Sequence, residues 1–212
     1  MIKYSDITKR LKVDVPVGRS GDWCVERMEV DERGAQAHNF HEAIRGGMRL
    51  IDPGTYTKLT CHGAIVMSDT PSEISDHLPA IYNAHGHVLI AGLGLGVVVN
   101  GCLMDGVDRN GKTVDKVTVV EKSLDVITLV AGHYRNRFGN RLEVVHDDIL
   151  TWKPPKGERY GTVWMDIWDD ICTDNLDDMR QLKAKFRRRT EWIGCWSEVE
   201  CLRYRRREGY YG

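Results

Sequence analysis

The stretch that decides the fold is HVLIAGLGLGVVVNGCL, residues 87–103, where an apolar run is followed by Gly92, Gly94 and Gly96 and then by a second apolar run. A short run of Val, Leu and Ile suits a strand that is buried on both faces. Glycines directly after such a strand allow positive φ angles and a close approach of the backbone to a ligand. The stretch therefore predicts a strand, a loop and a helix that form a nucleotide-type site, or else a tight turn without a ligand.

Downstream of this stretch, apolar segments alternate with amphipathic ones. Continuous Val, Ile and Leu strands that alternate with helices are typical of a parallel sheet covered on both faces. We therefore expect an α/β domain with a doubly wound sheet. The predicted strands are 87–92, 116–121, 141–147, 161–168 and 191–196, and the predicted helices are 96–104, 123–134 and 175–186.

The first third of the chain has a different pattern, which predicts a small N-terminal β-rich lobe over residues 1–69. Thr70 can cap the helix that follows, Pro71 suits its first position, and Glu73 completes a capping box. The second predicted segment, residues 70–212, contains the Rossmann-like domain. In the lobe, the predicted strands are 11–17, 22–30, 55–60 and 63–68, with a helix at 35–44.

Composition indicates a soluble globular protein. The 212 residues are 42% hydrophobic and 29% charged, and the 30 basic and 31 acidic side chains nearly cancel. No apolar stretch reaches the ~20 residues that a membrane helix requires, and the N-terminus lacks the apolar core of a secretory signal. We therefore expect no membrane partner and a cytoplasmic location. The six cysteines form no C-x-x-C pair, so they are interpreted as reduced core thiols.

Acidic side chains follow three of the predicted strands. Glu121 ends the second strand, where a carboxylate could accept both hydroxyls of an adenosine ribose. Asp147 and Asp148 end the third strand, where an acid could accept from the adenine amino group or cap the next turn. Asp166 and Asp169 follow the fourth strand, on the rim where chemistry would occur. A glycine loop combined with acids after the second, third and fourth strands is less likely to arise by chance than any one of these features alone.

The glycine spacing distinguishes between two nucleotide folds. A nicotinamide fingerprint needs a small third residue where this chain has Val97. The spacing G-x-G-x-G instead resembles the first motif of class I S-adenosylmethionine-dependent methyltransferases. Within that fold, VLIAGLGLG with Ala91 before the first glycine, VTVVEKSLDVI, and Asp166-x-x-Asp169 are similar to the spermidine synthase-like branch. The resemblance covers residues 87 to about 200 and implies a Rossmann-like methyltransferase sheet that is C-terminally shortened.

The resemblance also implies a cofactor and roles for individual residues. S-adenosylmethionine, or its decarboxylated form, would be bound by the nucleoside-contacting residues Gly92, Gly94, Gly96, Glu121, Asp147 and Asp148. Asp166 and Asp169 are the candidate catalytic residues, because a carboxylate can take a proton from an amine. The predicted function is methyl transfer to a small molecule or an amine.

Several alternatives remain open at the level of sequence. One is aminopropyl transfer from decarboxylated S-adenosylmethionine, and another is a nucleoside-binding module without turnover. The basic segments KAKFRRR (183–189) and RYRRRE (203–208) could bind nucleic acid, although a solvated surface explains them as well. Six aspartates lie within residues 166–178. They could bind a cation or cap the helix that follows, and no metal is predicted. A homodimer is also conceivable. His77 lies on the apolar face of the predicted helix and is interpreted as a core histidine.

Overall fold

The structure is a computed structural model and describes residues 4–47, 49–107, 109 and 111–208. Its first elements, in chain order, are α1 (Tyr4–Leu11), β1 (Gly18–Ser20), β2 (Trp23–Val30), α2 (Glu32–Ile44), β3 (Gly54–Cys61) and β4 (Ala64–Ser68). The four strands form one antiparallel sheet in the order β1-β2-β3-β4. This confirms the strands predicted at 22–30, 55–60 and 63–68 and the helix predicted at 35–44.

The strand predicted at 11–17 is wrong. Helix α1 ends at Leu11, and residues 12–17 belong to no helix and pair with no strand of the sheet. Their polar backbone groups bind side chains instead, since Val13 N–H donates to the Asp69 carboxylate at 3.0 Å and the Val15 carbonyl accepts from Arg27 at 2.9 Å. Val13 and Val15 are both buried. The alternation of apolar residues thus reflects packing under the sheet rather than a β ladder.

The second part of the chain alternates strands and helices, as predicted. Its elements are α3 (Pro71–Asn83), β5 (Gly86–Ala91), α4 (Val97–Leu103), β6 (Val114–Glu121), α5 (Leu124–Val126), a π-helical turn (Ile127–Ala131), α6 (Gly132–Phe138), β7 (Leu142–His146), β8 (Tyr160–Met165), α7 (Asn175–Phe186), β9 (Thr190–Cys195) and α8 (Glu198–Glu208). In the described part of the chain, no helix is long and apolar enough to cross a bilayer.

The five strands β5 to β9 form one parallel sheet in the order β7-β6-β5-β8-β9. The chain starts in the middle at β5, moves outward to β7, and then crosses to the other side for β8 and β9. Strand order therefore reverses at β5, which is the point where ligands bind in open α/β sheets. This arrangement confirms the predicted doubly wound, Rossmann-like parallel sheet with a small β-rich part before it, and the described residues after β9 form a helix rather than another strand.

Both faces of the parallel sheet are covered. Because successive side chains of a strand point to opposite faces, Val88 and Ile90 of β5 belong to one apolar cluster and Leu89 and Ala91 to another. Helices α1, α3 and α4 cover the first face, and α7 covers the second with four buried residues. Those four are Leu176, Met179, Leu182 and Phe186.

Helix α3 begins where it was predicted, but without the predicted capping box. The Glu73 carboxylate does not return to the backbone of Thr70. It accepts from the backbone N–H of Ser68 at 2.6 Å and from the Ser68 hydroxyl at 2.9 Å. This bond ties the first turn of α3 to the end of β4. Pro79 lies inside the helix, which continues to Asn83.

Candidate functional site

A cavity of about 690 Å³ opens at the carboxyl edge of the parallel sheet, beneath strands β3 and β4 of the small sheet. Its size lies within the ~300–1,000 Å³ range of small-molecule sites. The strand register explains its position, since Ala91 lies opposite Val120 of β6 and Met165 of β8, so three strands end at one level. The predicted site residues that line it are Gly92, Gly94, Glu121, Asp147, Asp148, Asp166 and Asp169.

Two of the three loop glycines are required by the packing of the protein itself. Gly92 has a φ of 91° and Gly96 a φ of 75°, both in the left-handed region. A Cβ at Gly92 would collide with the backbone carbonyl of Asp166, and one at Gly96 would collide with the Tyr134 ring. Gly96 is the predicted site residue that does not line the cavity. Its place in the motif is explained by the close approach of Tyr134, whose hydroxyl donates to the Leu95 carbonyl at 2.8 Å.

Gly94 faces the cavity and is covered by a side chain of the small sheet. Its φ is 49°, and a Cβ there would lie 2.5 Å from Met67 Sδ. The neighbouring Leu95 N–H donates to the same sulfur at 3.2 Å. Met67 therefore holds the end of β4 over the loop. Sequence reasoning missed this residue, because an apolar residue in a short strand carries no sign of what it will cover.

Glu121 joins the glycine loop to the segment after β6. One carboxylate oxygen accepts from the Leu93 N–H and the other from the Ser123 N–H, both at 2.7 Å. Each oxygen retains a second lone pair, since an ionised carboxylate has about four acceptor positions. The side chain is half-buried and lines the cavity, as a ribose-binding carboxylate would have to.

The two acids after β7 are engaged in a local turn. Asp147 accepts from the Asp148 N–H at 2.7 Å, and Asp148 accepts from the Leu150 N–H at 2.9 Å. Asp148 also pairs with Lys122 at 3.0 Å. The Leu150 bond, followed by the Lys122 bond, lowers the pKa of Asp148. Both acids line the cavity, but their bonds also fit the alternative in which they shape the turn.

Asp166 is the acid that lies deepest at the site. Its backbone N–H donates to the Ala91 carbonyl at 2.9 Å, which places it beside the glycine loop. Its carboxylate is 22% exposed and lies 3.6 Å from Nδ1 of His77 on α3. Burial, with the charges of Asp76 and Glu73, raises the pKa of Asp166 to about 7. A carboxyl group with such a pKa can take up or release a proton near neutral pH.

The other acids of residues 166–178 divide between the cavity and helix α7. Asp169 and Asp170 are exposed and lie on the rim of the cavity, beside Trp168. Asp174 is the N-cap of α7, and the first turn contains Asp177 and Asp178. The dipole of the helix accounts for these last three acids. In the ranges that the structure describes, no three His, Cys, Asp or Glu side chains are arranged to hold a metal ion.

The opposite titrations of Asp166 and His77 predict how stability depends on pH. Folding raises the pKa of Asp166 from 3.8 to about 7, so between those values the folded protein binds more protons and loses stability as pH rises. Burial lowers the pKa of His77 from 6.5 to about 4, so between about 4 and 6.5 the unfolded chain binds more protons and stability rises with pH. The two effects oppose each other in the wild type.

Single substitutions should separate these effects. In Asp166→Asn, the free energy of unfolding should rise more steeply with pH than in the wild type between pH 4 and 6.5, because the opposing effect of Asp166 is removed. In His77→Asn, the slope of this free energy against pH should be more negative than in the wild type between pH 4 and 6.5, because the opposing effect of His77 is removed. Urea unfolding at a series of pH values measures both slopes. Wild-type slopes in both variants would contradict the titrations described above.

Solved structures of other proteins are similar to part of this chain. No family model and no curated protein sequence matches the chain. Similar solved structures include a dimethyladenosine transferase from Plasmodium falciparum, with a TM-score of 0.35 and 20% identity over 45% of this chain and 31% of that one. A Pyrococcus horikoshii protein assigned as an RNA methyltransferase has a TM-score of 0.44 and 15% identity over 66% of this chain and 65% of that one.

A third similar structure is an S-adenosylmethionine-dependent methyltransferase from Clostridium acetobutylicum, with a TM-score of 0.36 and 12% identity over 56% of this chain and 43% of that one. This chain spans less than two thirds of the length of each of the three. The likeness concerns the fold, and what the site does has to be argued from the cavity.

Proposed function

We propose that this protein binds S-adenosylmethionine and transfers its methyl group to an amine. The observation that carries the proposal is the arrangement around the glycine loop. Glu121 ends β6 and Asp166 directly follows β8, the strands on either side of β5, and both acids line the cavity together with Gly92. A nucleoside-binding acid and a proton-accepting acid are thus available to one bound molecule.

The residues present fit the nucleoside part of such a cofactor. Gly92 and Gly94 line the cavity beside the Asp166 carbonyl and Met67, and Glu121 retains lone pairs for the two ribose hydroxyls. Asp147 and Asp148 lie farther along the same edge, where they could accept from the adenine amino group. Gly96 would act indirectly, by allowing Tyr134 to pack against the loop.

Charge favours an acceptor that is a cation. The positively charged side chains in the described lining, Arg49 and Lys122, are already paired with Asp76 at 2.8 Å and Asp148 at 3.0 Å. An excess of carboxylates in a cleft attracts organic cations and raises their local concentration. The carboxylates that line the cavity are Glu73, Glu121, Asp147, Asp148, Asp166, Asp169, Asp170 and Asp178.

Aromatic side chains of the cavity wall suit the same ligand. Trp168 is half-buried beside Asp169, and its indole Nε1 has no partner among the described residues. Trp23 of β2 and Trp196, which follows β9, also line the cavity. Indole rings attract organic cations through their π faces. An ammonium group held between these rings and the carboxylates would lie near Asp166.

Methyl transfer demands little more than position and a proton acceptor. S-adenosylmethionine supplies a methyl group that is activated by a sulfonium. The cavity has to hold the acceptor nitrogen in line with that methyl, and positioning alone can contribute ~7–11 kcal/mol. Asp166 takes the proton of the ammonium, and its raised pKa makes that transfer feasible near neutral pH. Asp169, on the exposed rim, would attract the incoming cation.

Calorimetry with S-adenosylmethionine, S-adenosylhomocysteine, decarboxylated S-adenosylmethionine, methylthioadenosine and NAD tests the cofactor. We expect S-adenosylmethionine and S-adenosylhomocysteine to bind most tightly. Preference for the decarboxylated form, with binding of putrescine or spermidine, would instead favour aminopropyl transfer. Binding without product from a panel of amines and phenols would indicate a nucleoside-binding module.

Asp166→Asn tests the proton acceptor. We expect methyl transfer to slow by about 10²–10⁴-fold while the affinity for S-adenosylhomocysteine stays the same, because the substitution removes the base and preserves the shape. The matched control is Asp177→Asn, an acid of α7 that pairs with Arg180 at 2.6 Å outside the cavity. Equal rates in the two variants would remove Asp166 from the mechanism.

A further inference from the structure

His77 is a buried side chain of the cavity wall whose chemistry the proposed function does not use. It lies on α3, and its side chain is only 4% exposed. Its Nδ1 has no hydrogen-bond partner among the described residues, although it lines the cavity. A buried polar atom without a partner costs about 1–3 kcal/mol, so its position calls for a functional explanation.

The ring of His77 is held in place on two sides. Its helix is anchored by the buried residues Ile74, Leu78 and Ile81. The imidazole also meets the Trp164 ring edge to face, with centroids 6.3 Å apart and an interplanar angle of 85°. The direction in which Nδ1 points is therefore fixed by packing rather than by a hydrogen bond.

Nδ1 lies 3.6 Å from a carboxylate oxygen of Asp166. A shift of about 0.5 Å would bring the two atoms within ordinary hydrogen-bond distance. Asp166 is itself held by its backbone bond to Ala91, so its side chain is the part that can move. The pair connects helix α3 with the catalytic edge of the sheet.

We propose that His77 is a positioning residue, whose Nδ1 orients the Asp166 carboxylate so that it can take a proton from the acceptor amine. This inference rests on the proposed function. Asp166 accepts one proton from the ammonium, which leaves the electron pair of the broken N–H bond on nitrogen. That pair forms the new N–C bond while the methyl C–S bond breaks and its electrons stay on sulfur.

Neutral His77 suits this role in both protonation states of Asp166. With its proton on Nδ1 it donates to the ionised carboxylate, and as the other tautomer it accepts from the protonated one. Burial keeps the imidazole neutral by lowering its pKa to about 4. The other charged groups that face the pair are Glu73 and Asp76 of α3, Glu121 at the end of β6, and Arg49.

Three substitutions of His77 separate positioning from packing. In His77→Asn, the amide carbon is Cγ, so its oxygen and nitrogen occupy δ positions and keep a polar atom where Nδ1 was. In His77→Gln, the amide lies one bond farther out, near the position of Nε2. His77→Leu fills the space without any polar atom. If the role of His77 is purely structural, the rates of the variants should follow side-chain volume. If His77 positions Asp166, the rates should depend on whether a polar atom occupies the Nδ1 position.

We expect His77→Asn to retain methyl transfer to within about 10-fold, and His77→Gln and His77→Leu to lose about 100-fold. The affinity for S-adenosylhomocysteine, measured by calorimetry, should stay within about 2-fold in every folded variant. The pH profile of the rate should move in His77→Leu but not in His77→Asn. Equal rates in the Asn and Gln variants would overturn the proposal, and that comparison remains available if His77→Leu does not fold.

A second readout does not depend on methyl transfer. The titration of the Asp166 carboxyl can be followed by ¹³C NMR in the wild type, His77→Asn and His77→Gln. A midpoint that moves in the Gln variant and is restored in the Asn variant supports positioning. Identical midpoints in all three proteins overturn it. A moved midpoint in a protein that transfers no methyl group would show that the proposed function fails while the pairing of His77 with Asp166 stands.

Discussion

Gly96→Ala should destabilise the protein by about 2–5 kcal/mol. Two costs add together. An alanine at a φ of 75° costs about 1–2 kcal/mol, because its Cβ meets the following carbonyl. The same Cβ would collide with the Tyr134 ring, and overpacking of a filled core costs about 1–3 kcal/mol.

Tyr134 cannot easily move away from the new methyl group. It is 1% exposed, its hydroxyl donates to the Leu95 carbonyl, and its ring stacks on Phe138 with centroids 6.2 Å apart. We therefore expect the loop to move instead, which would also weaken cofactor binding. Urea unfolding and calorimetry with S-adenosylhomocysteine measure the two consequences.

Gly46→Ala is the matched control for this prediction. Gly46 has a φ of 69°, close to that of Gly96, but a Cβ there would meet no atom within 4 Å. Its substitution should show the backbone cost alone, about 1–2 kcal/mol. If the two variants unfold at the same urea concentration, the contact with Tyr134 does not constrain the loop.

Glu121→Ala should weaken the binding of S-adenosylmethionine by about 1–3 kcal/mol, because hydrogen bonds to a charged group are lost. The change also removes the acceptors of the Leu93 and Ser123 N–H groups, so the loop should become less stable. A loss of affinity by itself would not distinguish a ribose contact from a loosened loop.

Adenosine and 2′-deoxyadenosine make that distinction. If Glu121 binds the ribose hydroxyls, the wild type prefers adenosine and the variant binds both nucleosides equally. A loosened loop would weaken both alike and preserve the preference. Glu143→Ala is the control, since Glu143 of β7 is an exposed acid that pairs with Lys116 of β6 and does not line the cavity. If Glu121→Ala prefers adenosine to 2′-deoxyadenosine as strongly as the wild type does, Glu121 does not bind the ribose hydroxyls.

The sequence predicted the second part of the fold well because its signals are local and mutually consistent. Buried strands such as VLIA need apolar residues on both faces. This pattern and the glycines that follow it can be recognised in the sequence without knowing which elements pack against the strand. The strand predicted at 11–17 failed because alternation also suits an unpaired segment whose apolar residues, such as Val13 and Val15, are buried in the core. Its backbone partners, the side chains of Asp69 and Arg27, are far away in sequence.

In the candidate site, too, features that depend on near neighbours were predicted and features that depend on distant residues were not. Gly92, Glu121 and Asp166 were predicted because acids and glycines at strand ends meet at one edge of a parallel sheet. Gly96 was assigned to a ligand, but its neighbour is Tyr134 of the next helical segment. His77 was interpreted as a core residue, and it is buried, but spacing along α3 could not show that its Nδ1 would face Asp166.

The sequence by itself thus determined the alternation of strands and helices, the glycine loop and the acids that end the strands, because hydrophobic periodicity and backbone conformation depend on near neighbours. Tertiary structure alone decided which side chains share the cavity. Met67 covers Gly94, and His77 meets Asp166, through contacts between residues 27 and 89 positions apart. Such contacts arise from how elements pack against each other, and no local pattern records that.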